Sequence, residues 1–176
     1  SYVVFANKKA FTDAGVAVPT GSTMSWDDFE SLSKKLTADG SFGTGWGLKS
    51  PTATVMNLAL GFGGTFFDNK DGKSTIHVGD DELQVPKRIN AMAYADKSLD
   101  PVSLTQSGTD VLPGFFGGKY AMYVGGNYVA QQITESAPSG FDWVVLPPLA
   151  GSKGADQAAN PQTMSVSAQS KHIPQA

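Results

Sequence analysis

The feature that most constrains this chain is the alternation of short apolar runs with stretches of helical spacing, punctuated by Gly and Pro. Tyr2-Val3-Val4-Phe5 reads as a strand. Asn7 can cap the next helix, whose Ala10, Phe11 and Ala14 share one face and which Gly15 ends. After a Pro/Gly/Ser/Thr loop, Ser25 opens a second helix. Its hydroxyl can cap the amide of Asp28, and Trp26, Phe29, Leu32 and Leu36 recur at helical spacing. Asp27, Asp28 and Glu30 suit that helix's positive end, and Lys34 and Lys35 its negative end. Residues 43–49 read as a strand carrying Trp46 and Leu48, and 52–60 as a helix that Gly61, Gly63 and Gly64 terminate. Thr65-Phe66-Phe67, the turn Asn69-Lys70-Asp71-Gly72 and a return strand at 74–78 form a hairpin. Residues 82–98 read as a long helix with Leu83, Ile89, Met92 and Leu99 inward and Pro86 in its first turn. A shorter helix at 110–116 closes on Gly117-Gly118. The strand Tyr120-Ala121-Met122-Tyr123-Val124 follows, and Gly125-Gly126 lead into a helix at 127–135. Trp143-Val144-Val145-Leu146 reads as a buried strand stopped by Pro147-Pro148, 150–162 as a polar connection, and 164–168 as a last strand. The alternation predicts an α/β fold, a small mixed sheet flanked by helices, with residues 1–176 as a single α/β lobe.

Composition narrows the function. Charged residues are 16% of the chain against an average of about 25%. With a net charge of −3 and no basic stripe, nucleic acid is not an expected partner. No run approaches the roughly 20 apolar residues of a membrane span. The absence of cysteine excludes disulfides, thiolate metal sites and a Cys nucleophile. Because residue 1 already reads as the start of a buried strand, the expectation is that the protein begins further upstream.

Several ordered motifs resemble those of one family. Val4-Phe5-Ala6-Asn7-Lys8-Lys9-Ala10-Phe11 is similar to a strand followed by Asn-Lys-x-x-Phe, and Ser25-Trp26-Asp27-Asp28-Phe29 to a Thr-Trp-Asp-Glu-Phe helix start. Gly63-Gly64-x-Phe66-Phe67-Asp68 matches a Gly-Gly-x-x-Phe-Asp turn. Phe116-x-Gly118-Lys119-x-Ala121-Met122 matches Phe-x-x-Gly-Lys-x-Ala-Met with one residue fewer after the Phe. Leu146-Pro147 and Ser170-Lys171 complete the set. Together they resemble the family 1 extracellular solute-binding proteins, which include the maltose-binding protein. The sequence departs from the family pattern at Ala6 and Tyr128, where Tyr and Trp are common, and around Asn160-Pro161-Gln162, where a Gly-Gly pair is expected.

The resemblance implies one lobe of a two-lobed periplasmic-binding-protein fold, its partner lobe lying elsewhere in the same protein. It implies a small-molecule sugar as ligand, no cofactor, and a membrane permease of an ABC importer as partner. It also implies an extracellular or periplasmic location with an upstream N-terminal membrane anchor. The ligand-binding residues it points to are Tyr128, Asn127, Gly126, Ser50, Thr52, Trp46 and Gln162. A pyranose offers C–H faces to an aromatic ring and hydroxyls to amides and side-chain oxygens. Tyr128 is the stacking candidate, and Gly125 and Gly126 would let a ligand approach the backbone. Each has a plainer alternative. Trp46 more often builds a core than a platform, Tyr128 can pack on its helix, Ser50 and Thr52 can cap the following helix, and Asn127 can cap its own.

Other chemistries fit less well. Asp27-Asp28 and Asp80-Asp81 are adjacent pairs at helix starts, not the two carboxylates across a cleft that a glycosidase needs. His77 and His172 have no metal-ligand spacing, and no Gly-x-Ser-x-Gly elbow occurs. Gly72-Lys73-Ser74 mimics the end of a phosphate loop, but Phe67 replaces its first glycine. The remaining alternatives are a same-fold binder of a peptide or polyamine, and a carbohydrate-active enzyme.

Overall fold

The computed structural model describes residues 1–159 and 164–175. In chain order the elements are β1 (Tyr2–Asn7), α1 (Lys8–Asp13), β2 (Met24–Ser25), α2 (Trp26–Lys35), β3 (Phe42–Trp46), α3 (Thr52–Ala59) and β4 (Phe67–Lys70). They continue with β5 (Lys73–Ile76), α4 (Asp80–Asn90), α5 (Gly108–Phe116), β6 (Tyr120–Gly126), α6 (Val129–Ser136), β7 (Trp143–Val145) and β8 (Leu149–Ala150). Four strands form a mixed sheet in the order β3-β6-β1-β7. β6 runs antiparallel to β1 and parallel to β3, and β7 is antiparallel to β1. β2 and β8 make a short parallel pair, and β4 and β5 a separate hairpin.

The sheet is apolar on both faces because helices cover both. Strand residues alternate sides with a period of two. Val4, Ala6, Met122 and Val124 face a core that Trp26, Phe29, Leu58, Val85 and Met92 complete. Phe5 and Tyr123 face a second core with Val111, Leu112, Phe115, Val129 and Ile133. Helix α2 begins as its sequence predicts, the Ser25 hydroxyl accepting from the Asp28 amide at 3.0 Å. Trp26 then stacks on Trp46 with ring centroids 6.2 Å apart and meets Phe29 edge-on. Asn7 caps α1 through Oδ1, accepting from the amides of Lys9 and Ala10.

Several details differ from the sequence reading. Helix α4 starts at Asp80, so Pro86 lies in its interior instead of its first turn, where it removes the bond to the Glu82 carbonyl. Ile89, Met92 and Leu99 are buried as expected, but Leu83 is 36% exposed and Glu82, at 2%, takes the inward place expected of Leu83. The helix passes into a π-helical turn at Ala91–Ala95. Phe115, not Phe116, is the fully buried ring. Counted from Phe115, the Phe-x-x-Gly-Lys spacing lacks no residue. β7 is an edge strand, with Val145 42% exposed, because it pairs only with β1. Residues 164–168 form no strand; Met164 is fully exposed, and no neighbouring strand offers a ladder.

Candidate functional site

One end of the sheet gathers the motif residues. Tyr2, at the start of β1, pairs with Gly126 at the end of β6, and Trp46, at the end of β3, pairs with Val124. The carboxyl ends of the two parallel strands therefore open on the same side, where α/β folds place ligands. The chain leaves β3 through Ser50 into α3, and leaves β6 through Asn127 and Tyr128 into α6. Between these exits lies a groove of about 210 Å³ bordered by Tyr2, Trp46, Ser50, Tyr123, Gly126 and Tyr128.

Tyr128 is 76% exposed, an unusual state for an aromatic ring and one that leaves a face free to stack. Tyr123 is 1% exposed, and its hydroxyl donates to the Gly108 carbonyl at 3.1 Å. Burial pushes the Tyr123 hydroxyl well above the usual phenol range, with the nearby phenols of Tyr128 and Tyr2 adding to the effect. It is a neutral, protonated donor throughout the physiological range. Lys49 is the one charged side chain bordering the groove among the described residues. The Asp110 carboxylate beside it is held below its ordinary range by the Ser107 hydroxyl at 2.7 Å, the Ser107 amide, and Lys49.

Four of the expected residues, Tyr128, Gly126, Ser50 and Trp46, border this groove. Trp46 is 1% exposed and sandwiched into the core by Trp26, so burial leaves it no free face to act as a stacking platform. Thr52 is exposed on the first residue of α3, outside the groove lining. Neither Ser50 nor Thr52 caps that helix, whose N-cap position is Pro51 and carries no side-chain bond. Asn127 is exposed and does not cap α6; its amide donates to the Ser1 carbonyl at 2.9 Å. Gln162 lies outside the described residues, as do Asn160, Pro161 and Thr163. The space above Gly125 and Gly126 is taken by the rings of Tyr123 and Tyr128, not left open for a ligand to reach the backbone.

Sequence reasoning missed Tyr2, Tyr123 and Ser107. Ser107 carried a readable signal, since Ser-x-x-Asp is a capping box, and its hydroxyl and the Asp110 carboxylate close one at the start of α5. Tyr2 and Tyr123 carried none, because only the pairing register brings them to the groove.

Elsewhere, a larger concavity of about 340 Å³ lies between α2 and α4. Its Arg88 is already committed to Asp27 and Glu30 at 2.7 and 2.6 Å, and no motif residue of the expected site reaches it. The groove at the strand ends is the better candidate. Among the described residues no group of three or more His, Asp or Glu side chains could hold a metal ion. Among the described residues, no helix is long and apolar enough to cross a membrane.

The mixed sheet, the helices on both its faces and a groove at the strand ends define one lobe of the periplasmic-binding-protein fold. The chain belongs to the bacterial extracellular solute-binding protein family, whose model matches residues 1–176. It is 40% identical over 173 residues to an uncharacterized lipoprotein in the oleD 5' region of Streptomyces antibioticus, covering 97% of this chain and 38% of that protein. A Listeria monocytogenes ABC substrate-binding protein solved in complex with cycloalternan is 25% identical with a TM-score of 0.70; the match covers 87% of this chain and 38% of that one. An Arthrobacter chlorophenolicus A6 sugar transporter with bound laminaribiose is 26% identical with a TM-score of 0.65, over 89% of this chain and 38% of that one. The chain thus spans about two-fifths of the length of these relatives.

Proposed function

We propose that the protein carrying this chain is the capture subunit of an ABC importer, binding a mono- or oligosaccharide and presenting it to a membrane permease. The observation that carries this reading is the ring of Tyr128, 76% exposed at the mouth of a groove that Ser50 also borders. The ring stacks on a sugar C–H face, and Ser50, with Thr52 and Asn127 at the margin and Gln162, supplies polar contacts. A half-open groove of about 210 Å³ leaves a sugar wet on one side. A second lobe closing over it completes the site and excludes water. The reading is one of binding without catalysis. The cycloalternan and laminaribiose bound by two relatives above 20% identity support a carbohydrate. The lipoprotein name of the Streptomyces relative supports an extracellular, membrane-anchored setting.

Calorimetry of the full-length protein against a panel including laminaribiose, maltose-type oligosaccharides and cyclic glucans tests the reading. One of them is expected to bind, and Tyr128→Ala to weaken it about 5- to 30-fold, the worth of about 1–2 kcal/mol of stacking and burial. No heat with any sugar would overturn the carbohydrate assignment. An unchanged affinity in Tyr128→Ala would overturn the stacking role.

A further inference from the structure

The Gly125-Gly126 pair sits between two tyrosines that the groove uses differently. A Cβ on Gly126 would lie 2.7 Å from Cδ1 and 2.8 Å from Cζ of Tyr128. A Cβ on Gly125 would lie 2.5 Å from Cε1 and 2.8 Å from Cζ of Tyr123. Real Cβ contacts are not that short, so each ring occupies the volume that a side chain on its glycine would need. Gly125 seats a ring that is 1% exposed and belongs to the core. Gly126 seats a ring that is 76% exposed yet lies over backbone that is itself buried. Neither glycine has a left-handed backbone, so turn geometry does not require glycine at either position.

We propose that Gly126 is a positioning residue for ligand binding. It touches no ligand; it is the seat on which the Tyr128 ring rests, and it fixes the plane that the ring presents to the groove. The inference rests on the stacking role of Tyr128 argued above. An exposed tyrosine side chain ordinarily samples several rotamers, and freezing it costs part of the binding energy. Docked over Gly126, between the end of β6 and the start of α6, the ring has lost that freedom before a ligand arrives. The same contact explains why two consecutive glycines precede Tyr128 without a turn that needs them. Glycine at 125 serves packing, and glycine at 126 serves the site.

Alanine separates the two roles. At 126 the obstructed atoms belong to one exposed side chain, which an added methyl group displaces into solvent. At 125 they belong to a core ring that cannot. Gly126→Ala is expected to leave the melting temperature unchanged, and Gly125→Ala to lower it. The seat is tested in the ligand-free full-length protein by placing 3-fluorotyrosine at position 128 and recording its fluorine spectrum. With Gly126 the resonance is expected to be shifted from that of a free tyrosine and broadened by restricted motion; in Gly126→Ala it sharpens toward the free value. An identical resonance in both would overturn the proposal, whatever the ligand proves to be. With a sugar found in the panel, a double-mutant cycle reads the consequence. Gly126→Ala alone is expected to weaken binding by about as much as Tyr128→Ala, roughly five-fold or more, and to add nothing once Tyr128 is alanine. Additive losses would mean that Gly126 meets the ligand itself and would overturn the positioning role. Failure of every sugar would overturn the carbohydrate assignment, and the fluorine spectra would then decide the seat on their own.

Discussion

At Glu82 a carboxylate that the helical pattern turns toward water points inward. Its Oε2 accepts from the Gly79 amide at 2.8 Å, its Oε1 from the Thr65 amide at 3.0 Å, and His77 Nδ1 lies 3.2 Å away. The Gly79 amide foremost, then the amide of Glu82 itself, the Thr65 amide and His77, hold the carboxyl at about 2 against an ordinary 4.5, outweighing the opposing effect of burial. A folded-state pKa below the unfolded one means that the unfolded chain takes up the proton more readily. The stabilisation is therefore complete above about pH 4.5 and is lost as pH falls toward 2. Glu82→Gln is expected to lower the urea midpoint at pH 7 and to converge with the parent chain near pH 2; parallel curves at both pH values would refute it. The helical periodicity was legible in the sequence, and Ile89, Met92 and Leu99 are buried as expected; only the first inward position was misassigned, to Leu83 instead of Glu82. Leu83 was the more apolar residue; the bond to the Gly79 amide is the local half of a capping box at the start of α4, but nothing local announced that the Thr65 amide would also turn Glu82 inward. The Asp100 carboxylate, 1% exposed, was hidden for the same reason. Burial would raise its pKa, yet Lys119 and the Tyr120 hydroxyl, both at 2.7 Å, hold it below its ordinary range.

Among the elements, those with both a cap and a periodic face were readable, and those defined by a distant partner were not. Helix α2 follows from Ser25 and the spacing of Trp26, Phe29 and Leu32, all local signals. The β4–β5 hairpin was expected, with its turn over residues 69–72 and its return strand at 74–78; the turn is Asp71-Gly72 alone, both with positive φ as a two-residue turn requires, so Asn69 and Lys70 belong to β4 and β5 spans Lys73–Ile76. All eight of its strand residues are exposed, including the cross-strand pair Phe67 and Ile76. Replacing both by threonine is therefore expected to cost no more than about 1 kcal/mol, the scale of a single cross-strand pair, as read by urea unfolding. Residues 150–159 were readable only as a polar connection. In the fold they form a strap beside β1, where β7 no longer reaches. The Gln157 amide accepts from the Tyr2 N–H and donates to the Tyr2 carbonyl, both at 2.8 Å, replacing a missing strand. The Asn57 amide holds the Ala158 carbonyl from the other side. Gln157→Ala removes two bonds worth together about 1–3 kcal/mol. It is expected to speed hydrogen exchange at the Tyr2 amide selectively, leaving Val3 and Phe5, whose backbone groups face β6, protected by that pairing; uniform protection would show that the strap contributes nothing there.

Across the whole molecule, the sheet keeps two cores apart while the groove draws on both: Trp46 belongs to the core of Trp26 and Phe29, and Tyr123 to that of Phe5 and Phe115. The groove's shape therefore depends on both cores being packed, and Trp46 is where that dependence is sharpest. It closes β3 opposite Val124, its amide donates to the Ser103 hydroxyl at 3.0 Å, and its ring fills the space beside Trp26. Removing a ring this deeply buried costs about 3–5 kcal/mol, a large share of the roughly 5–15 kcal/mol that holds a domain together. Trp46→Ala is accordingly expected to lower the urea midpoint strongly and to collapse the near-ultraviolet signal of the Trp26–Trp46 pair, with any loss of ligand affinity following that loss of order. Tyr128→Ala should do the opposite, sparing stability and near-ultraviolet structure while weakening binding, because its ring rests on the surface. The two variants measured side by side separate an aromatic that builds the lobe from one that serves its ligand. A Trp46→Ala protein with an unshifted midpoint but lost affinity would make Trp46 a contact residue after all, and would require its ring to turn out of the core toward the groove.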